Sequence, residues 1–261
     1  MKPSVMGAFL EVSSKLEGVV PWMYLDVLGL VTTGIGNLID PLPESLPFTK
    51  PDGTLASRVE IQAEWRTVKG ATYLARQGHL AAKKMTSLRL TEEGIHQVVA
   101  SKVSEMEAYL KKRFPSFDSW PADAQLATLS MSWACGPGFR FPSLAACLLA
   151  GDFEGASKVC HINTAGNAGV VPRNAMNEML YRNAARTTEP DEVHLEPIPP
   201  HDAKPLTLVD VQKRLAALGY NPGPADGVMG PKTKAAIVSF QRARGLVADG
   251  VMGPKTKAAL E

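Results

Sequence analysis

Eleven residues, D-G-V-M-G-P-K-T-K-A-A, occur at 226–236 and again unchanged at 249–259. A repeat this long and this close fixes local architecture before any other signal, because both copies must fold alike. Each reads as a turn (Asp-Gly, then Gly-Pro) running into a helix. Its proline falls in the first helical turn, where a fixed φ and a missing N–H are no handicap. A helix over 207–218 precedes them, with Leu208, Val211, Leu215 and Leu218 on one face. The pattern predicts a small three-helix module over 206–261, with two similar loops and a modest core.

The stretch before it, 187–205, holds five prolines and five acids against one lysine, which predicts an extended, mobile linker. The rest, 1–186, is a second and larger domain. Val5, Phe9, Val12 and Leu16 lie on one helix face, and Gly18 and Pro21 end that helix. Residues 24–39, rich in Val, Leu, Ile, Thr and Gly, predict short strands, and the four prolines of 40–53 predict an irregular loop. Helices are expected over 56–69, 71–84, 91–112, 121–134, 142–150, 152–160 and 173–186. The fold class is therefore mostly α, with a small N-terminal β region and a three-helix C-terminal module.

Chemistry concentrates between Glu17 and Gly36. Glu17 sits in the last turn of the first helix, beside its apolar stripe, where burial would favour a protonated carboxyl. Asp26 lies in a more polar turn, and Thr32 and Thr33 supply hydroxyls. Cleaving a glycosidic bond needs one acid to protonate the leaving oxygen and a second carboxylate near the anomeric carbon. Glu17 suits the first role, Asp26 the second, and the Thr32 hydroxyl can place a water. A glutamate before a glycine, or an aspartate in a turn, is also an ordinary structural choice.

The pattern E-G-x7-D-x2-G-x2-T-x-G-x-G, carried by Glu17, Gly18, Asp26, Gly29, Thr32, Gly34 and Gly36, resembles the active-site signature of phage-type lysozymes, glycoside hydrolase family 24. L-R-L-T-E-E-G, the run from Asp123 through Ser143, A-G-D-F-E-G-A and P-R-N-A-M-N-E-M-L-Y are similar to later elements of that family. The resemblance covers most of 1–186, with insertions at 40–85. It implies a lysozyme-like α+β fold in which Glu17 is the acid, Asp26 the second carboxylate and Thr32 the water-positioning hydroxyl. Asn37 stands where the family often carries histidine, which bears on local packing. Thr33 replaces an apolar residue, so Thr33 is the alternative to Thr32. V-Q-K-R-L-A-A-L-G-Y and the two repeats resemble the type 1 peptidoglycan-binding module over 207–260, which binds cell wall without cutting it.

Together these imply an endolysin-like muramidase cutting between N-acetylmuramic acid and N-acetylglucosamine, with bacterial peptidoglycan as partner and no cofactor or metal. A monomer is expected. The alternatives are a lytic transglycosylase using Glu17 alone, an injected interbacterial toxin with the same chemistry, and a non-catalytic wall-binding protein. The histidines, His79, His96, His161, His194 and His201, form no HExxH, which argues against a zinc amidase. Cys160-His161 is adjacent in sequence, which is not the geometry of an activated thiolate. Cys135, Cys147 and Cys160 read as buried free thiols, with a Cys147–Cys160 disulfide as the alternative.

A formal net charge of +2 gives no support to nucleic-acid binding. No run reaches the roughly 18 apolar residues of a membrane span, and the N-terminal stretch does not read as a signal peptide. The expectation is synthesis in the bacterial cytoplasm, delivery by a holin or secretion system, and action on the wall from the periplasm.

Overall fold

The computed structural model describes residues 1–165, 169–199 and 207–260. Helix α1 (Pro3–Glu17) leads into an antiparallel sheet of β1 (Val20–Leu25), β2 (Val31–Gly34) and β3 (Asn37–Leu38), in that order. Strand β4 (Phe48–Thr49) pairs with β5 (Arg89–Leu90), and α2 (Arg58–Gly70) and α3 (His79–Lys83) lie between them in the chain. There follow α4 (Glu92–Arg113), α5 (Ala122–Cys135), α6 (Pro142–Ala150), α7 (Phe153–Val159) and α8 (Val170–Ala184). Helices α9 (Leu208–Ala217), α10 (Pro231–Ala243) and α11 (Pro254–Leu260) make the C-terminal module. The fold is mostly helical with a small N-terminal β region and a helical C-terminal module, as the sequence predicts. Among the described residues no helix is long and apolar enough to cross a membrane.

Helix α5 is the hub of the larger unit. Every residue from Ala122 to Ser132 is buried, so the helix is enclosed on all sides rather than lying on a surface. It packs on α1, α4 and α8. Its buried polar groups all find partners, as interior polar groups must. Gln125 Nε2 donates to the Phe117 carbonyl at 2.9 Å, and Thr128 Oγ1 shares a bond with the Tyr181 hydroxyl at 2.9 Å. Capping sets the long α4: the Thr91 hydroxyl accepts from the Gly94 amide at 3.0 Å. Glu92 and Glu93 sit in its first turn and Lys111, Lys112 and Arg113 in its last, each sign matching the helix dipole.

Three expectations need correction. The helix expected over 71–84 is a short 3-10 turn (Thr72–Leu74) and the five-residue α3. Gly78, at φ +76°, separates them with a backbone no continuous helix allows. The loop expected over 40–53 contains β4, too short to leave a periodic signal. The thiols are all free: Cys160 is buried, Cys147 partly so and Cys135 exposed, so there is no Cys147–Cys160 bond and full burial holds for Cys160 alone.

The linker differs as well. Residues 200–205 lie outside the described residues, but its first part is fastened to the larger unit. The Pro190 carbonyl accepts from the Ala122 amide at 2.8 Å. Asn183 Nδ2 donates to the carbonyls of His194 (2.8 Å) and Glu196 (2.9 Å), and its Oδ1 accepts from the Ile198 amide at 2.8 Å. Asp123 accepts from the His194 amide at 2.7 Å and pairs with His194 Nδ1 at 2.8 Å. Val193 and Leu195 pack on the core. Proline and acidic composition predicts extension, but this strap turns at 189–192, where the Glu192 amide donates to the Glu189 carbonyl at 3.1 Å. Its backbone is held because two buried side chains remote in sequence, Asp123 and Asn183, need those partners.

Burial opposes protonation of His194, but the bonds and charge of Asp123, with Glu189 behind them, outweigh it and raise the imidazole above its ordinary value. A raised histidine stabilises the fold fully below its unfolded value, near 6.5, and loses that stabilisation as pH climbs through the native value. Amide-exchange protection of the strap should therefore fall as pH rises above the ordinary imidazole value, about 6.5. In His194→Ala that pH dependence should be absent, with strap stability lower by about 1–2 kcal/mol at the acid end. Protection in the native chain that stays flat over that rise in pH would contradict the clasp.

Candidate active site

Glu17 ends α1, and Gly18 (φ +73°) turns the chain out of the helix. Its carboxylate is not surrounded by the apolar stripe that sequence suggests. Its Oε1 is paired with Nη2 of Arg173, from α8. The Arg173 side chain is 3% exposed, and its Nη1 donates to Ser130 Oγ at 2.9 Å and the Ser130 carbonyl at 3.2 Å on α5. One guanidinium thus joins α1, α5 and α8, and a planar donor fork suits that task. Glu17 Oε2 points toward Gly36, where an added Cβ would lie 3.9 Å from it and 3.7 Å from Trp133 Nε1. Trp133 Nε1 donates to the Ile35 carbonyl at 3.1 Å, holding the sheet against α5.

Asp26 builds the β1–β2 turn. Its Oδ1 accepts from the amides of Leu28 (2.8 Å) and Leu30 (2.9 Å), and its own amide donates to the Leu30 carbonyl at 2.9 Å. Oδ2 is left unbonded by the described residues. A second carboxylate braces this hairpin. Asp40 accepts from the Val31 amide at 3.2 Å and from Lys69, whose Nζ also donates to the Gly29 carbonyl at 3.0 Å. The Lys69 bond, chiefly, holds the Asp40 carboxyl below its usual range.

Glu17 and Asp26 both act on Tyr24. Burial first, then the negative charges of Glu17 and Asp26, push the Tyr24 phenol above its ordinary value. Thr32 pairs with Tyr24 directly across the β1–β2 ladder, and directly opposed residues project from the same face of a sheet. Thr32 therefore shares a face with Tyr24; it is buried, and its hydroxyl donates to the Leu30 carbonyl at 3.3 Å. Its neighbour Thr33 projects the other way, is fully buried, and donates to the Val20 carbonyl at 3.4 Å. Asn37 caps the next turn: its Oδ1 accepts from the Ile35 amide at 3.1 Å, and an added Cβ at Gly34 would meet that oxygen at 2.8 Å.

Sequence reasoning misses three members of this cluster. Arg173 lies in the quoted P-R-N-A-M-N-E-M-L-Y, but its partner is 156 residues away. Tyr24 and Trp133 read as ordinary core aromatics. The thiol–histidine pair at 160–161 is not a nucleophile. Burial pushes the Cys160 thiol up to about 12, and His161 turns to Glu178 at 3.0 Å.

The C-terminal repeats form two matching loops. In the first, Gln212 Nε2 donates to Asp226 Oδ1 (2.9 Å), the Val228 carbonyl (3.1 Å) and Thr233 Oγ1 (3.1 Å), while its Oε1 accepts from the Gly227 amide at 2.8 Å. In the second, Gln241 Nε2 donates to Asp249 Oδ1 (2.9 Å), the Val251 carbonyl (2.9 Å) and Thr256 Oγ1 (3.1 Å), and its Oε1 accepts from the Gly250 amide at 2.9 Å. The module has its own core around Val211, Leu215, Ile237 and Phe240.

Residues 207–260 match the family described as "Putative peptidoglycan binding domain". The C-terminal unit is thus a peptidoglycan-binding module, and peptidoglycan is the partner it supports. A protein of Synechocystis sp., "Putative OxPP cycle protein OpcA", is 58% identical over 38 residues, 15% of this chain and 8% of that protein's length. A match of that extent concerns one small unit.

Replacing Arg173 by Ala strips Glu17 and a buried Ser130 carbonyl of their partner together. Stability should fall by roughly 1–3 kcal/mol, read as a lower denaturant midpoint. An unchanged midpoint would mean that the guanidinium does not brace the three helices.

Proposed function

We propose that 1–186 is a lysozyme-like muramidase domain and 206–261 a wall-binding module that holds it on its substrate. The observation that carries this reading is the placement of Asp26 and Thr32 on one hairpin, with Gly36 of the next turn lying against Glu17 Oε2. Glu17 donates its proton from Oε2 to the leaving oxygen of the bond between N-acetylmuramic acid and N-acetylglucosamine, while Arg173 fixes Oε1. As the C–O bond breaks, Asp26 supports the positive charge developing at the anomeric carbon or takes the proton of the incoming water. Its Oδ1 is occupied by turn amides and its Oδ2 is free for that work. The Thr32 hydroxyl orients the water, whose oxygen completes the new hemiacetal. The reading puts the site of action at the bacterial cell wall, reached with the help of a holin or a secretion system.

Clearing of purified peptidoglycan suspensions tests the assignment. Glu17→Gln should slow clearing by about 100-fold or more, the scale of a lost general acid. Thr32→Val should slow it at least about tenfold with an unchanged melting temperature. Thr33→Val should lower the melting temperature and leave the rate of the remaining folded enzyme near that of the native chain. Equal clearing by the native protein and Glu17→Gln would sink the enzymatic reading and leave a protein that only binds the wall.

A further inference from the structure

The two C-terminal loops are alike in more than their buried bonds. The hydrogen-bond network uses the Asp and Thr side chains and the Gly and Val backbones of each repeat, yet identity extends to the valine side chains, which it does not use. Val228 and Val251 stand in solvent at 62% and 59% exposure. Exposing an aliphatic side chain at a turn does nothing for the fold. Beside each valine is a cavity. The first, 380 Å³, is lined by Gln212, Asp226, Val228, Gly230 and Thr233. The second, 350 Å³, is lined by the matching Gln241, Asp249, Val251, Gly253 and Thr256. Both volumes fall within the range of small-ligand sites, about 300–1,000 Å³.

Each cavity offers the same chemistry. The aspartate spends Oδ1 on its own turn, accepting from the Val228 amide (2.9 Å) or the Val251 amide (2.8 Å) and from the glutamine. Its Oδ2 accepts nothing from the described residues and is free for a hydrogen-bond donor. The valine supplies an apolar surface beside that oxygen. The rims differ: Pro222, Gly223 and Pro224 flank the first cavity, whereas Leu246, Val247 and, from the strap, Glu196 flank the second, so only the part supplied by the repeat is shared.

We propose that the module carries two equivalent receptor sites, one per repeat, each taking a methyl group next to an amide N–H, so that one chain grips two units of the wall polymer at once. The proposal rests on the wall-binding reading of 207–260. Methyl beside N–H is the chemistry of the acetamido groups of the sugar and of alanyl residues in the attached peptides. Two such sites on one rigid module make the second contact intramolecular, which raises avidity without raising the affinity of either.

The test is a titration of the full-length chain in its Glu17→Gln form with a soluble disaccharide–tetrapeptide, following the amide resonances of Gly227 and Gly250. Both should shift, with midpoints within about threefold of each other. Asp226→Asn, which keeps the Oδ1 acceptor, should abolish the shift at the first loop alone, and Asp249→Asn at the second alone. Val228→Ser and Val251→Ser, at exposed positions, should repeat that separation without a folding cost. Either single variant should weaken pelleting with insoluble wall at least tenfold. Parallel titrations with the peptide-free disaccharide and with the sugar-free peptide show which methyl is read. A shift at one loop only, or at neither while the chain still pellets with wall, overturns the two-site proposal and leaves wall binding standing. Failure to pellet overturns the wall-binding reading itself.

Discussion

The contact on which the larger unit depends is the pairing of Glu17 with Arg173. A carboxylate at a helix end, next to glycine, would ordinarily sample many positions. Here one oxygen is fixed by a guanidinium that is itself buried and tied to Ser130. Ser130 lies on α5, the most enclosed helix of the fold, so the orientation of Glu17 derives from the stiffest part of the molecule. A functional carboxylate needs such support from rigid elements, since small errors in placement are costly to chemistry.

The opposite side of the cluster is built differently. Asp26 belongs to a hairpin turn, and its rigidity comes from local bonds to Leu28 and Leu30 and from the Lys69–Asp40 brace reaching over from α2. Trp133 couples the two halves by bonding Ile35 in the sheet from its place on α5, where it packs edge-on against Phe9 of α1 at 5.0 Å. The glycines of the motif have distinct duties. Gly36, at φ +72°, keeps the space beside Glu17 Oε2 open, and Gly34, at φ +62°, leaves room for the Asn37 amide that caps the turn. The Tyr24 phenol senses both carboxylates.

How much of this can be read in the sequence follows from how far apart the partners lie. Glu17, Asp26 and Thr32 fall within one short run, and the resemblance of that run to the phage-type lysozyme signature, more than periodicity or spacing, singles them out together. The eleven-residue repeat is likewise local, and its loops and following helices form as read. Arg173 and Glu17 are at opposite ends of the domain, and nothing in local pattern links them. The strap fails for a similar reason: its prolines and acids describe an extended chain, but its bonds come from Asp123 and Asn183. Thr32 and Thr33 cannot be told apart by composition, whereas strand register separates them at once. Two-residue strands such as β4 and β5 are too short to carry any periodicity.

In the proposed function the two units divide the work, the C-terminal module holding polymer and the larger unit offering two carboxylates and a hydroxyl for its cleavage. That account turns on water entering the reaction. Digestion of peptidoglycan in water enriched in the heavy oxygen isotope, with product masses read by mass spectrometry, tests it most directly. The account predicts one solvent oxygen at each new N-acetylmuramic acid end. An unlabelled anhydro end would contradict it, because Glu17 would then act without the water that Asp26 and Thr32 are there to place.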